Sequence, residues 1–421
     1  MPDRPLSLFE GFGIELEYMI VSKETHQVLP VADKLIFAES GAYDDVERGP
    51  MGWSNELVNH VIEFKTNGPA QALEPLSEQF AQEIRHANSR LDALGGVLMP
   101  TGMHPWMNPD RETQLWSHEF NAVYEQFNQI FNCKGHGWSN LQSAHLNLPF
   151  ANDAEFGALH AAIRLLLPIL PAMAASSPIV EGKQTGLVDN RLQYYRNNAM
   201  RVPSVSGLIV PEGAYTRKDY EMNILARIYQ DLSPFDPQGI LQHEWANARG
   251  AIARFERSAI EIRLLDVQEC PTADVGIAMA IVNVLKALMG QRWVALPEQK
   301  SWPTKSLADL LRRCIVEGQN TIIDDAKYLA AMGIARPGQL TAGELWAHLI
   351  ETTWPKNAQG AAPLRKAVDT IVSQGNLAHR IGRALGPATP GGKGAQAARE
   401  KQQVVYRELV ACLAENRQFM A

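Results

Sequence analysis

The sequence predicts an α+β fold, and three observations point to it. Segments that alternate apolar and polar residues in the manner of strands recur through residues 1–300. The connections between them are long and lack a regular strand–helix–strand rhythm, which disfavours a doubly wound parallel sheet. Beyond about residue 300 the apolar residues recur at helical spacing. On this reading a mixed body, residues 1–300, carries a helical region, residues 301–421, packed on it.

Taken in order, residues 12–21 (FGIELEYMIV) read as a strand and residues 61–65 as a second, short one. Leu73, Leu76, Phe80, Ile84, Leu91 and Leu94 form the apolar stripe of an amphipathic helix that Gly95-Gly96 ends. VLM before Pro100 is a further strand. QSAHLNLPF, from Gln142, alternates and stops at Pro149, and Asn152-Asp153 caps the helix that follows. Residues 251–267 give one or two strands, in which Ile260, Ile262 and Leu264 alternate with Glu261, Arg263 and Leu265. An apolar helix over 275–288 comes next. In the C-terminal region Ser306 with Asp309 and Thr341 with Glu344 resemble capping boxes. GPATPGGKGAQAA, from Gly386, reads as a flexible loop and residues 398–416 as the last helix. No repeat recurs at a fixed period.

A chain of 421 residues with 46% hydrophobic and 20% charged residues can fill a substantial core. Its net charge of −7 favours neither a nucleic-acid nor an anionic-membrane surface, so small molecules are the expected partners. Cys133, Cys270, Cys314 and Cys412 form no C-x-x-C pair and are expected as buried, reduced thiols. The opening MPDRPLSLFEG lacks the apolar core of a signal peptide. The uncharged run between Arg164 and Glu181 is broken by Pro168, Pro171 and Pro178 and is too short to span a bilayer. A cytoplasmic location is the default expectation. Oligomeric state stays open: the C-terminal helices could form an interface or cover the back of the sheet.

The common catalytic motifs fail. From Gly386, a phosphate loop would need Lys at position 392, where Gly392 stands. His243-Glu244 is followed by Asn247 where a zinc-protease helix needs His. What remains is an uneven distribution of carboxylates. Glu15 and Glu17 lie two apart in an apolar strand and so share a face. Two carboxylates on one buried face repel each other and lose hydration, and a divalent cation is the strong compensation. The plainer alternative is a solvated strand face. The pattern recurs, however. Glu56 precedes the second strand and Glu63 lies within it. His145 shares a face with Asn147, and Glu261 shares one with Arg263, with Asp266 following. Converging on one sheet face, these groups suit Mg²⁺ or Mn²⁺ holding phosphate oxygens rather than zinc. An arginine beside them would meet a transferring phosphoryl group.

Six segments in order resemble the second, bacterial and plant type of glutamate–cysteine ligase, a family that includes small carboxylate–amine ligases. They are GIELEYMIV at Gly13, NELVNHVIEFKT at Asn55, TGMHPW at Thr101, QSAHLNLPF at Gln142, AASSPIVEGKQTGLVDNR at Ala174 and AIEIRLLDVQECP at Ala259. The resemblance implies a glutamine-synthetase-like fold, a largely antiparallel sheet with a catalytic face and helices behind it. It implies ATP and Mg²⁺ as cofactors, with Glu15, Glu17, Glu56, Glu63, His145 and Glu261 as the metal shell. Arg263 would stabilise the γ-phosphoryl group, Arg191 would hold an acidic substrate group, and His104 would support the pocket. The family reads His-x-His near His145, whereas this chain carries the single histidine.

The implied reaction is ATP-dependent activation of a carboxylate, glutamate by resemblance, as an acyl phosphate that an amine then displaces. The stretch 190–206 and the segment 135–140 are the expected closing loops. A guanidino phosphotransferase on the same fold, and a homologue that binds nucleotide or amino acid without turnover, are the alternative readings.

Overall fold

A computed structural model describes residues 4–335, 338–356, 360–387 and 393–421. Its strands in chain order are β1 (Gly13–Ser22), β2 (Val46–Arg48), β3 (Met51–Asn55), β4 (Val61–Thr66), β5 (Gly96–Met99) and β6 (Ser143–Pro149). A small ribbon, β7 (Ile179–Val180) with β8 (Lys183–Gln184), separates these from β9 (Ala251–Arg254) and β10 (Ala259–Asp266). Eight of them make one sheet in the order β2-β3-β4-β1-β6-β10-β9, with β5 also paired to β1. Each of its pairs is antiparallel. β1 is the spine. β6 pairs with its first half and β5 with its second, both opposite β4.

The alternation seen in the sequence gives the sheet two chemically different faces. Leu16, Tyr18, Trp53, Ile62, Phe64, Leu146, Leu148 and Ile260 are fully buried on the back. Each such side chain contributes roughly 1.5–3 kcal/mol. The helices Leu76–Leu91, Asp153–Leu166 and Pro271–Met289 form the layer behind the sheet. The last of these also packs against the C-terminal helices Ala342–Thr353 and Ala362–Gln374. Two helical stretches, Asp153–Ala174 and Pro271–Met289, are long and apolar enough to cross a membrane. In this fold 94% and 78% of their apolar windows are buried inside the protein, so they serve as core helices. All four cysteines are buried and unpaired.

Local chemistry sets the helix ends. Asn152 Oδ1 accepts from the Glu155 amide at 3.0 Å, and Thr341 with Glu344 makes a complete capping box. Ser306, by contrast, lies inside the helix Thr304–Glu317, and Asp309 pairs instead with Lys305 and Arg312. The C-terminal region, read as helical, also holds a short ribbon, β11 (Ile322–Ile323) with β12 (Leu340–Thr341). The last helix, Lys393–Glu415, begins inside the segment expected as a loop; the rest of that segment, residues 388–392, lies outside the described residues.

Candidate active site

The strand register assembles the polar face. Glu15 stands opposite His145 on β6 and Lys65 on β4, and Glu17 stands opposite Glu63. Glu63 in turn faces Ser54 on β3, and Glu261 faces Asn147. Glu56 follows β3 directly. Five adjacent strands therefore place carboxylates or their partners on one surface. Apart from Asn147, these residues line a cavity of about 450 Å³ together with Arg191, Arg254 and Arg263.

Within it the carboxylates differ in environment. His145 Nδ1 lies 2.7 Å from Glu15 Oε2 and its Nε2 lies 2.9 Å from Ser143 Oγ. Burial opposes the imidazolium, but the Glu15 hydrogen bond and the charges of Glu17 and Glu15 raise its pKa to about 9. Burial likewise opposes the Glu15 anion, but the His145 hydrogen bond together with the charges of His145 and Arg257 lowers its pKa on balance. Glu261 is also lowered, to about 2, by Arg263, His145 and Arg254 against the cost of burial. Arg254 meets it at 3.1 Å and Arg263 Nε at 2.8 Å, with a second bond from Arg263 Nη2.

Glu63 and Glu56 are less compensated. Burial, then the charge of Glu15, pushes Glu63 up to about 8, although Lys65 Nζ lies 3.8 Å away and Ser54 Oγ donates to it at 2.6 Å. Burial, with the charges of Glu17 and Glu63, raises Glu56 well above the carboxylate range. Carboxylates clustered this closely fit a divalent ion. Two groups have ligand atoms within 4.8 Å of one another: Glu15, Glu63 and His145, and Glu17, Glu56 and Glu63. Glu63 belongs to both. Glu261, expected with the metal shell, is instead held by the two arginines.

Arg263 owes its position to a β-bulge. Ile262 pairs with Leu146 and Leu265 with Ala144, so Arg263 and Leu264 together oppose His145. The extra residue reverses the alternation, and Asp266 lands on the polar face opposite Ser143. Asp266 is buried beneath the cavity and draws several segments around itself. It accepts from Ser176 N (2.9 Å), Ser177 Oγ (2.8 Å) and Arg191 Nη1 (3.4 Å). Gly102 leaves room for it, since a Cβ there would lie 2.4 Å from the Asp266 carboxyl carbon.

Arg191 thus reaches the cavity wall, but its N–H groups also serve the bulge. Nη2 donates to the Arg263 carbonyl at 2.9 Å and Nη1 to the Leu264 carbonyl at 3.3 Å. His104 is not brought to the cavity. It is fully buried, with Nε2 3.0 Å from the His26 carbonyl and its amide donating to Asn140. The two expected closing segments border the cavity and are joined: Trp138 Nε1 donates to the Asn198 carbonyl, and Asn198 Nδ2 donates to the Gly137 carbonyl.

Sequence reasoning missed several residues. Ser54 lies on a strand too short to show a period, and Arg254 shows its role only through its bond to Glu261 across the β9–β10 pair. The aromatic wall of the cavity, Phe120, Tyr124, Phe127, Trp138, Tyr195 and Trp245, comes from four separate segments. The i, i+4, i+7 spacing of Phe120, Tyr124 and Phe127 was the one signal available for it.

The antiparallel sheet with helices behind it matches a glutamine-synthetase-like ligase fold. Residues 11–408 match the model of glutamate–cysteine ligase family 2, and the chain belongs to that family of carboxylate–amine ligases. An uncharacterized protein of Archaeoglobus fulgidus is 36% identical over 276 residues, covering 65% of this chain and 74% of that protein. A Nocardioides protein with a provisional glutamate–cysteine ligase 2-1 name is 24% identical over 298 residues, covering 70% and 72%. In fold, the chain is similar to the glutamate–cysteine ligase of Francisella tularensis solved with AMP. That match has TM-score 0.62 and 13% identity, over 98% of this chain and 93% of that one. A bifunctional glutathione synthetase from Pasteurella multocida matches with TM-score 0.53 and 14% identity, over 96% of this chain and 52% of that one.

Proposed function

We propose that this protein is an ATP- and Mg²⁺-dependent ligase that activates a carboxylate as an acyl phosphate and condenses it with an amine. Family membership supports glutamate as the acid. The observation that carries the reading is the pair of carboxylate clusters sharing Glu63, with Arg263 beside them. The AMP in the Francisella structure supports nucleotide use.

Glu15, Glu63 and His145 would hold one divalent ion, and Glu17, Glu56 and Glu63 a second. Bound there, Mg²⁺ or Mn²⁺ supplies charge neutralisation at the phosphate oxygens. Ligation requires His145, Glu56 and Glu63 to release the protons their surroundings favour. Glu261 fixes the guanidinium of Arg263, whose remaining charge faces the transferring phosphoryl group. Arg254 shares the load on Glu261 and keeps it ionised. Arg191 is a positioning residue, holding the bulge that carries Arg263. A second cavity of about 640 Å³ opens beside the first, sharing Glu15, Lys65 and Arg257 with it, and has Arg4 and Glu256 on its wall. Its Lys65 and Arg257 offer cationic contacts for the polyphosphate of the nucleotide.

The test is ADP release from ATP and Mg²⁺ with glutamate and amines added singly, the products weighed by mass spectrometry. ADP formation that needs both acid and amine, with a product of their condensed mass, is expected. ATP binding without ADP under every mixture would replace this reading with a non-catalytic binding protein.

A further inference from the structure

The carboxylates and arginines account for one side of the cavity; the other side is aromatic. Phe127 packs against Trp138 and Trp245 with ring centroids 5.4 and 5.8 Å apart, and Tyr124, Tyr195 and Phe120 complete the wall. This chain buries Trp53, Trp116, Trp346, Phe64, Phe80 and Phe156 almost entirely. The rings of the wall stay half-buried, with surface facing the cavity. Tyr124 Oη accepts from Asn55 Nδ2 at 3.0 Å within the cavity, whereas Trp138 Nε1 donates to the Asn198 carbonyl at 3.1 Å. Phe120 sits on the rim, 59% exposed, at φ 66°, a left-handed conformation that a phenylalanine seldom adopts.

We infer that the amine joined by this ligase carries an aryl group, and that this wall is its subsite. The inference rests on the ligase reading and adds the substrate class. Position along β1 separates the occupants. The second cavity lies at its Gly13 end, and Glu15 is common to both cavities. Glu17, Glu56 and the Tyr124 side of the wall lie further along. A nucleotide entering over Arg4 and Arg257 brings its phosphates to Glu15 from the first direction and leaves the rings to the second reactant. Cysteine would leave the wall largely unfilled, whereas a flat ring stacks on it. The amine nitrogen forms the C–N bond to the acyl carbon as the C–O bond to phosphate breaks. Phosphate leaves with the bonding pair and takes the proton that the nitrogen gives up.

The experiment compares cysteine, ethylamine, phenethylamine and tryptamine as acceptors for the full-length enzyme with ATP, Mg²⁺ and glutamate. The expected result is a kcat/KM for the two aryl amines at least about tenfold above the others, each with its condensed mass. Cysteine or ethylamine used equally well overturns the inference. Phe120→Ala, at an exposed position that folding does not need, and Phe127→Leu should each raise KM for tryptamine several-fold and narrow the aryl preference. A preference that neither variant changes also overturns it. Binding of tryptamine to the Mg²⁺-loaded protein by calorimetry separates the two failures. Saturable binding weakened by Phe127→Leu, with no ADP formed, keeps the subsite and defeats the ligase reading. Absent binding, or tryptamine displaced by ATP alone, defeats the subsite.

Discussion

Glu63 has three neighbours of its own charge, Glu15, Glu17 and Glu56, and belongs to both ligand groups, so it is the side chain on which the site depends most. Replacing it with glutamine removes one anionic ligand from each group while keeping its volume. Glu63→Gln is therefore expected to lower kcat by about a hundredfold or more, on the scale of losing one phosphoryl-stabilising group. The shift should come with a raised Mg²⁺ requirement, and a metal titration of the rate checks it. A rate within a few-fold of wild type would remove Glu63 from the site. The contrast with His104 shows what a sequence can reveal at this scale. Glu15 and Glu17 were legible because charge in an apolar strand, repeated two residues apart, has few physical excuses. His104 sits in an equally distinctive segment, but its partner is the carbonyl of His26 in a remote turn. Backbone acceptors leave no mark on the sequence, so a histidine that holds the fold and one that holds a ligand read alike.

Among the elements, β10 shows how one inserted residue builds a site. The alternation of AIEIR is regular, and the following Leu264-Leu265 breaks it. That doubled leucine is the trace of the bulge, though it does not say where the extra residue points. Deleting Leu264 would restore plain pairing, with Arg263 alone opposite His145 and with Leu265 and Asp266 still opposite Ala144 and Ser143. It removes the Leu264 carbonyl that accepts from Arg191, and it removes a leucine that is only 1% exposed. Losing a buried leucine costs about 2–5 kcal/mol. The deletion is expected to yield less soluble protein, or a thermal transition lowered by roughly five degrees or more, on the order set by that cost. A deletion variant as stable as the wild type would show that the fold does not depend on the bulge. The long strands and helices were legible because their apolar periods are long. β2, β3 and the helix Asn121–Phe131 were not, since three or five residues show no period and the helix opens on an unusual left-handed Phe120 rather than a capping residue.

Across the whole molecule, the C-terminal helices are tied to the sheet layer by a fully buried pair. Arg380 Nη1 lies 2.6 Å from Glu269 Oε1, and the Phe419 amide and carbonyl join the same knot. Arg380→Ala leaves Glu269 buried without its cation and is expected to cost about 3–5 kcal/mol, read from denaturant unfolding. The protons of the active site make a second, global prediction. Glu63 titrates near 8 in the folded chain against an ordinary 4.5, Glu56 is raised further, and His145 is raised from 6.5 to about 9. In all three the folded protein binds protons that the unfolded chain has released. Their contribution to stability is complete below the ordinary values and is lost as pH rises through the folded ones. Glu261, lowered to about 2, acts in the opposite range: its contribution is present above 4.5 and lost as pH falls towards 2. Without divalent metal, the melting temperature should therefore decline from about pH 5 to pH 9 on account of these groups. Mg²⁺ takes the place of the same protons, so the stabilisation it gives should grow over that interval. Melting curves across the range, with excess Mg²⁺ and with chelator, measure both slopes. Parallel curves with and without Mg²⁺ would show that the ion does not bind where these protons leave.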